Sequence, residues 1–240
     1  MNNEKIFSSF ENAVADIPDG ASIMVGGFGG PGGMPQNLIS ALSQRDIKYL
    51  TIIGNCPFAS DILGKVMNTP YTDCNILLAK KMVSKVIASF PVFTLGEGRK
   101  SLLVQMALKG EVEVDIVPQG TLAERIRAGG GGIAGFYTPT GAGTLLSKGK
   151  ETKVFNGKEY VLETGLTADY SFIRAHKADS LGNLIYRGTS RSFNPLMATA
   201  AKVSIAEVDE IVNIGDMYPE HVVTPGVYIN RVVKIDRRPN

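Results

Sequence analysis

A glycine-rich segment near the amino terminus is the first stretch whose residue types and spacing could do chemistry. Residues Gly27-Phe28-Gly29-Gly30-Pro31-Gly32 match the G-x-G-x-x-G pattern of nucleotide-binding turns. Because glycine has no Cβ atom, the backbone N–H groups of such a turn can approach an anion or a thioester oxygen closely. The same groups can stabilise an oxyanion that develops during acyl transfer. The pattern therefore predicts a binding turn, and a tight structural turn without a ligand is the alternative.

Two common nucleotide sites do not match the rest of the sequence. A dinucleotide site expects Asp or Glu about 20 residues beyond the glycines, at the end of the second strand. The sequence there is Ile53-Gly54-Asn55-Cys56, with no carboxylate. A phosphate-binding loop also fails, because Gly64-Lys65 and Gly149-Lys150 lack both the upstream glycine and the following Ser or Thr. NAD and nucleoside triphosphates are therefore weak candidates.

Two later segments carry further candidate binding groups. Residues 129–144 form a long Gly/Thr/Pro segment in which Phe136 and Tyr137 favour an ordered, contacting loop over a rigid connection. Arg187 and Arg191 could hold carboxylate or phosphate groups. From these residues alone, a surface turn with two solvated arginines is the preferred interpretation.

Other reactive side chains are isolated in the sequence. His176 and His221 have no second histidine at metal-ligand spacing, so we expect no metal site. Glu97 is flanked by Gly96 and Gly98 and could be exposed as a nucleophile, although an ordinary turn glutamate is the commoner explanation. Cys56 and Cys74 make neither a disulfide framework nor a metal motif, which predicts a cytosolic or similarly reducing compartment.

Composition excludes several classes of partner. The chain has 240 residues, a hydrophobic fraction of 44% and a formal net charge of +2 without a basic stripe, so neither nucleic acid nor a membrane surface is expected. The longest apolar stretches are shorter than the roughly 18 residues that a membrane helix needs, and the amino terminus lacks an apolar run of signal-peptide type. The length fits one domain, residues 1–240.

The elements around the glycine turn follow a β–loop–α–β order. Ser22-Ile23-Met24-Val25 is a short buried strand, Pro35 suits the first turn of a helix over residues 36–42, and a second strand covers residues 49–53. This order is typical of a parallel sheet. Helices are also predicted at residues 8–15, 61–67, 100–108 and 121–128, the last with a Thr121/Glu124 capping box, and strands at 74–79, 83–88 and 112–117.

The last third of the chain is rich in strands. Asn156-Gly157 between residues 153–155 and 159–162 is a strong hairpin signal. Further strands are predicted at residues 170–175, 184–186, 203–208, 222–229 and 231–235, and a helix begins at Pro195. The predicted fold class is α/β: a single open, mostly parallel sheet flanked by helices, with a strand-rich carboxyl-terminal part.

Three blocks, taken in order, carry a family resemblance. They are residues 19–28, residues 118–130 running into Tyr137-Thr138-Pro139-Thr140-Gly141, and residues 175–227 with Asn194-Pro195-Leu196-Met197 and Val223-Thr224-Pro225-Gly226-Val227. Together they resemble the A (alpha) subunit of class I CoA-transferases of the succinyl-CoA:3-oxoacid type, over nearly the whole chain. The turn after Phe28 is one residue longer than that family's signature.

The resemblance implies a CoA-transferase-like fold and a ping-pong reaction. A glutamate carboxylate attacks an acyl-CoA, a glutamyl-CoA thioester forms through a mixed anhydride, and a second small carboxylic acid takes the CoA. In this family the glutamate belongs to the B (beta) subunit, so no catalytic residue is expected in this chain. CoA is a substrate here and no permanently bound cofactor is implied. The residues implied to bind CoA are Gly26, Gly27, Phe28, Gly29, Gly30, Pro31, Gly32 and Gly33.

The implied assembly is a heterotetramer or larger complex with a B (beta) subunit, and the implied acids include acetoacetate, 3-oxoadipate, acetate and butyrate. Two alternatives of other classes stay open at this point. One is a self-sufficient α/β enzyme such as a sugar-phosphate isomerase, and the other is a non-catalytic CoA- or nucleotide-binding module. Activity that requires a beta subunit separates the first interpretation from both.

Overall fold

The computed structural model describes residues 5–28, 33–60, 71–90 and 100–236. The predicted helix at residues 61–67 lies outside these ranges, and none of the helices within them is long and apolar enough to cross a membrane. The described helices are α1 Phe10–Ala13, α2 Gln36–Leu42, α3 Asn75–Ala79, α4 Leu102–Leu108, α5 Gln119–Gly130 and α6 Asn194–Thr199. The strands are β1 Ile6–Phe7, β2 Ser22–Val25, β3 Leu50–Gly54, β4 Val83–Ala88, β5 Glu113–Ile116, β6 Gly135–Thr138, β7 Thr152–Phe155, β8 Lys158–Thr164, β9 Ala168–Asp179, β10 Leu184–Ile185, β11 Ala201–Val212 and β12 Arg231–Lys234.

The main sheet is open and mostly parallel, as predicted. Its strand order is β1-β12-β11-β9-β2-β3-β4-β5, with every neighbouring pair parallel, and β10 adds to β9 in the antiparallel sense. β9 and β11 are each twelve residues long, whereas β2 has four. β9 therefore continues past the point where β2 ends, and this step at the carboxyl edge of β2 holds the candidate site.

The sheet is buried on both faces, which explains its short apolar strands. Ile23 and Val25 of β2 pack into one hydrophobic cluster with α2, while Met24 packs into a second cluster on the other face with α5 and α6. Parallel strands covered on both sides carry continuous apolar sequences of this kind. The hydrophobic effect on both faces thus fixes the direction and position of β2, and with them the start of the glycine turn.

A second, three-stranded antiparallel sheet has the order β6-β8-β7. The predicted hairpin is confirmed: Asn156 and Gly157 both have positive φ, 49° and 76°, as a two-residue hairpin turn requires. The prediction of a continuous loop over residues 129–144 is wrong at β6, because Gly135–Thr138 pairs with β8. A strand this short, next to glycines and threonines, leaves no alternating pattern to detect.

The predicted strand at residues 74–79 is instead helix α3. Its first turn is organised by Asp73, whose carboxylate accepts a hydrogen bond from the Asn75 N–H at 2.9 Å. Leu77 and Leu78 are both buried. A short apolar run does not distinguish a buried strand from a buried helix. Here the hydrogen bond from the Asn75 N–H to Asp73 favours the helix.

The predicted Thr121/Glu124 capping box is also wrong. Helix α5 begins earlier, at Gln119 after Pro118, so Thr121 lies inside the first turn and is buried. Glu124 forms an ion pair with Arg127 at 2.7 Å on the surface of the helix. Pro118 before the helix needs no backbone N–H partner, and this allows the earlier start.

The predicted strand at residues 222–229 is wrong: Gly226–Tyr228 within it is a short 3₁₀ turn, and another such turn, Pro219–His221, ends just before it. Only Thr224 makes an isolated bridge, to Leu184. Pro225 has no N–H to donate to a strand partner, and a Cβ atom at Gly226 would lie 2.2 Å from the Leu181 carbonyl oxygen. The backbone therefore turns here against a neighbouring loop.

Candidate functional site

The glycine turn begins where β2 ends, at the carboxyl edge of the main sheet. The Gly26 N–H donates to the Phe172 carbonyl oxygen of β9 at 3.0 Å, which extends the pairing of β2 with β9 by one residue. Ligands of open parallel sheets bind at this edge of the strands. Of the predicted binding residues, Gly26, Gly27, Phe28 and Gly33 are described, whereas Gly29, Gly30, Pro31 and Gly32 lie outside the described residues.

Asn194 connects the two ends of the turn and is completely buried. Its Nδ2 donates to the carbonyl oxygens of Gly33 at 3.0 Å and Ser190 at 2.9 Å. Its Oδ1 accepts the Arg174 N–H at 3.0 Å, where β9 passes beyond β2. A Cβ atom at Gly26 would lie 1.8 Å from this Oδ1. The glycine at position 26 is therefore required by the asparagine that anchors the turn.

The glycines at 27 and 33 are required by the path of the backbone. Their φ angles are 104° and 92°, in the region that side chains disfavour. A Cβ atom at Gly33 would also lie 2.6 Å from the Ser190 carbonyl oxygen. Packing explains these two glycines as well as ligand binding does, so their presence alone does not identify a ligand.

Phe28 presents an aromatic ring beside the turn. The side chain is 51% exposed, and its ring stacks on Phe193 with centroids 6.3 Å apart and planes 23° from parallel. Phe193 is buried in the cluster formed with α5 and α6. One face of the Phe28 ring is thus supported from below, in an arrangement suited to a flat or apolar ligand group.

Glu207 of β11 caps the helix that follows the turn. Pro35 precedes α2 and offers no side-chain acceptor, so the first N–H groups of α2 need one from elsewhere. Glu207 Oε2 accepts from Asn37 N at 2.9 Å and Leu38 N at 3.0 Å, and its Oε1 accepts from Asn37 Nδ2 at 3.2 Å. Burial raises the pKa of Glu207 to about 7. This effect outweighs the hydrogen bonds, which favour the charged form and lower the pKa.

A second group of charges lies next to Glu207. Arg174 Nη2 donates to Asp209 Oδ1 at 2.6 Å, His176 Nδ1 lies 2.9 Å from Asp209 Oδ2, and Arg174 Nε is 3.7 Å from Glu207 Oε1. Burial alone would raise the pKa of Asp209, but the hydrogen bonds from His176 and Arg174 outweigh it and leave that pKa below its usual range. His176 is thus held by a hydrogen bond to Asp209.

A cavity of about 200 Å³ opens between the glycine turn and the 3₁₀ turn Gly188–Arg191. It brings Gly33, the last of the predicted CoA-binding residues, together with Arg187, one of the two predicted arginines. Residues of the 129–144 segment are not part of this lining: Tyr137 contacts Glu151 and Phe155 in the small sheet. The groups that line the cavity and bear on its chemistry are Gly33, Arg174, His176, Arg187, Ser190 and Asp209.

Glu97, the candidate nucleophile within this chain, lies outside the described residues. Sequence reasoning did not identify Asn194 or Glu207 as site residues. Asn194 belongs to the Asn194-Pro195 segment of the third block, and Glu207 is an acidic residue within the apolar run Ser204-Ile205-Ala206-Glu207-Val208. A carboxylate on a strand buried on both faces is the signal that could have revealed Glu207.

The chain is similar to known proteins in sequence over most of its length. The family model described as Coenzyme A transferase matches residues 7–235. Among the most similar curated proteins, the A subunit of the succinyl-CoA:3-ketoacid coenzyme A transferase of Helicobacter pylori (strain J99 / ATCC 700824) is 44% identical over 231 residues, covering 96% of this chain and 92% of that protein. The A subunit of the 3-oxoadipate CoA-transferase of Pseudomonas putida is also 44% identical over 231 residues, 96% of this chain and 94% of that protein.

A solved structure shares the fold. An acyl-CoA transferase from E. coli O157:H7, in a thioester complex with CoA, superposes with a TM-score of 0.79 at 21% identity. The alignment covers 98% of this chain and 48% of the other, so this chain spans about half the length of that protein.

Proposed function

Because this chain belongs to the coenzyme A transferase family, we propose that it is the alpha subunit of an enzyme that moves CoA from an acyl-CoA to a carboxylic acid. The observation that carries this proposal is its 44% identity, over nearly its full length, to two proteins that are each named as the A subunit of a CoA-transferase. Those names make succinyl-CoA with a 3-ketoacid or 3-oxoadipate the first substrates to test.

The turn from Gly26 to Gly33 is the CoA-contacting segment in this proposal. It starts at the carboxyl edge of the sheet, and the buried amide of Asn194 links its Gly33 end to Arg174 of β9 through hydrogen bonds. The hydrogen bond to the Gly33 carbonyl oxygen holds this end of the segment before an acyl-CoA binds, which lowers the ordering cost at that end. In this proposal, backbone N–H groups of the segment would face the thioester oxygen as negative charge develops on it.

The nucleophile in this proposal is a glutamate of a partner, the beta subunit. Among the described residues, the carboxylates closest to the turn are occupied: Glu207 caps α2, and Asp209 binds Arg174 and His176. A partner carboxylate would attack the thioester carbonyl, form a mixed anhydride and release the CoA thiolate. That thiolate then attacks the glutamyl carbonyl, frees the first acid and leaves a glutamyl-CoA thioester, from which the second acid accepts CoA by the reverse steps.

The experiment that tests this division of labour locates the covalent intermediate. The complex of this chain with its beta subunit is incubated with an acyl-CoA without acceptor, and both polypeptides are analysed by intact and peptide mass spectrometry. We expect the CoA adduct on a glutamate of the beta subunit and none on this chain. Glu97→Ala in this chain should leave both adduct and transfer rate within about twofold of wild type, whereas an adduct on Glu97 would move the nucleophile into this chain.

The assembly and its compartment belong to the same proposal. A subunit that lacks its own nucleophile needs a beta subunit, and we propose a heterotetramer or larger complex of the two. Cys56 and Cys74 are both buried and free, and burial raises the pKa of Cys56 to about 12, so its thiol is not a reactive one. This favours a reducing compartment such as the cytosol.

A further inference from the structure

The cavity beside Gly33 is lined by one basic residue, Arg187, that pairs with no acidic residue in the described part of the chain. Of its basic lining residues, Arg174 is paired with Asp209 and faces Glu207, and His176 is held by the other oxygen of Asp209. Arg187 is exposed and forms no ion pair with any residue in the described ranges. Among the described lining residues, Arg187 is therefore the basic residue left to pair with an anionic ligand.

The backbone that carries Arg187 is tied to the glycine turn. The Arg187 carbonyl oxygen accepts hydrogen bonds from the N–H of Ser190 at 3.3 Å and from its Oγ at 2.5 Å. The Ser190 carbonyl oxygen in turn accepts from Asn194, whose same Nδ2 binds the Gly33 carbonyl oxygen. The buried amide of Asn194 therefore links the backbone at Gly33 to the backbone at Arg187, and a shift of one should move the other.

The size of the cavity limits what can occupy it. At about 200 Å³ it is smaller than the roughly 300–1,000 Å³ of sites that bury drug-sized ligands. The nucleotide part of CoA does not fit such a volume, whereas a small aliphatic acid does. A planar guanidinium pairs with a carboxylate through two parallel hydrogen bonds. Arg187 is therefore suited to bind the second carboxylate of a small dicarboxylic acid.

We propose that Arg187 determines specificity for dicarboxylic substrates by binding their second, non-reacting carboxylate in this cavity. The reacting end of the same molecule lies on the Gly33 side of the cavity. The proposal rests on the proposed function, since it assigns a residue to one end of the acyl substrate of that reaction.

The kinetic test compares two acyl donors with four-carbon chains in the reconstituted alpha/beta complex. Succinyl-CoA carries a second carboxylate and butyryl-CoA does not. For Arg187→Met we expect kcat/KM with succinyl-CoA to fall about ten- to hundredfold, the loss of a charge-assisted hydrogen bond, and kcat/KM with butyryl-CoA to change less than about threefold. For Arg187→Lys, kcat/KM with succinyl-CoA should lie between the values of wild type and Arg187→Met, because lysine keeps the positive charge but cannot form two parallel hydrogen bonds to one carboxylate. Arg191→Met, four residues on and outside the cavity lining, is the matched control and should change neither value more than about threefold.

Binding measured by calorimetry separates this inference from the proposed function. The wild-type complex should bind succinate more tightly than butyrate, and Arg187→Met should abolish that preference even if no CoA transfer is detected. Absence of transfer with the preference intact would reject the proposed function and keep the carboxylate site. Equal losses for both acyl donors in Arg187→Met, or no preference for succinate in wild type, would overturn the assignment of Arg187.

Discussion

At the residue scale, the candidate site depends on how closely the amide of Asn194 approaches Gly26. Asn194 satisfies three backbone groups that β9, the end of the glycine turn and the 3₁₀ turn would otherwise leave without partners. The space for its Oδ1 exists only because residue 26 has no side chain. A buried hydrogen-bonded side chain and the glycine that admits it thus form one unit, and the two positions should respond to mutation together.

A double-mutant cycle on Gly26 and Asn194 tests this coupling. Gly26→Ala should lower the free energy of unfolding by about 1–3 kcal/mol, because its methyl group overlaps Oδ1. Asn194→Ala should lower it by a similar or larger amount, because it leaves three buried backbone groups unpaired. In the double variant the overlap is gone, so the two losses should fall short of additivity by at least about 1 kcal/mol in urea titrations.

The control for the added methyl group is Gly120→Ala in helix α5. No atom lies within 4 Å of a Cβ atom built at Gly120, so this change should be neutral or slightly stabilising. Two results would show that the close approach of Gly26 and Asn194 does not shape the turn. One is strict additivity of the losses in free energy of unfolding for Gly26→Ala and Asn194→Ala. The other is a loss for Gly120→Ala as large as that for Gly26→Ala.

The sequence predicted the glycines of the site but not the residues that make them necessary. The pattern at residues 26–33 and its place after a strand are local features, and both are visible in the chain as written. Asn194 acts on Gly26 across 168 positions, and Glu207 acts on Asn37 across 170. Contacts of this range depend on strand order, which no local pattern contains. Arg187 was recognised as a possible anion ligand, but only the cavity and the pairing of its neighbours favour that role over a solvated arginine.

At the element scale, β11 and α2 are joined by one ionisable group. Glu207 is the acceptor for the first N–H groups of α2, and α2 fixes the exit of the glycine turn. Its pKa of about 7 exceeds the usual value of about 4.3, so folding favours the protonated form. Stability from this group is therefore fully present below about pH 4.3 and is lost as the pH rises through about 7.

Glu207→Gln should remove this pH dependence. Between about pH 5 and 8.5 the free energy of unfolding of wild type should fall relative to that of Glu207→Gln by up to about 3 kcal/mol, since one pKa unit corresponds to about 1.4 kcal/mol. Denaturant titrations at several pH values measure the difference. Asp169→Asn is the matched control: hydrogen bonds from Lys202 and Ser22 lower the pKa of Asp169 to about 2, so it stays ionised over this range, and the difference of this variant from wild type should be constant. A constant difference for Glu207→Gln as well would contradict the assigned pKa.

Elements were predicted correctly where an apolar pattern determines the secondary structure, and incorrectly where a hydrogen bond or a contact with another residue determines it. β2, α2 and β4 have the predicted bounds, and each carries an apolar pattern that burial on the sheet enforces. α3 was mistaken for a strand because Asp73 initiates a helix in a run whose pattern fits both. The segment at 222–229 was mistaken for a strand because the approach of Leu181 to Gly226 is a tertiary contact.

At the scale of the whole molecule, the proposed function requires this fold to supply one half of an active site. The carboxyl edge of the sheet offers a Gly33 backbone held by Asn194, a supported aromatic ring and a cavity lined by Arg187. Glu207 and Asp209, the described carboxylates next to the turn, are engaged in structural hydrogen bonds. The sequence resemblance predicted the family and the need for a beta subunit, and the family assignment is confirmed over residues 7–235. A self-sufficient isomerase is not favoured by any of the relatives named above.

The measurement that tests the central claim most directly is the rate of CoA transfer by this chain alone, by the beta subunit alone and by their equimolar mixture. The names of the relatives suggest succinyl-CoA as donor and a 3-ketoacid or 3-oxoadipate as acceptor, and acetoacetate serves as the 3-ketoacid. We predict transfer in the mixture at a rate at least about a thousandfold above that of either polypeptide, together with a stable complex in size-exclusion chromatography. Transfer by this chain alone at the rate of the mixture would contradict the proposed division of the active site between two subunits.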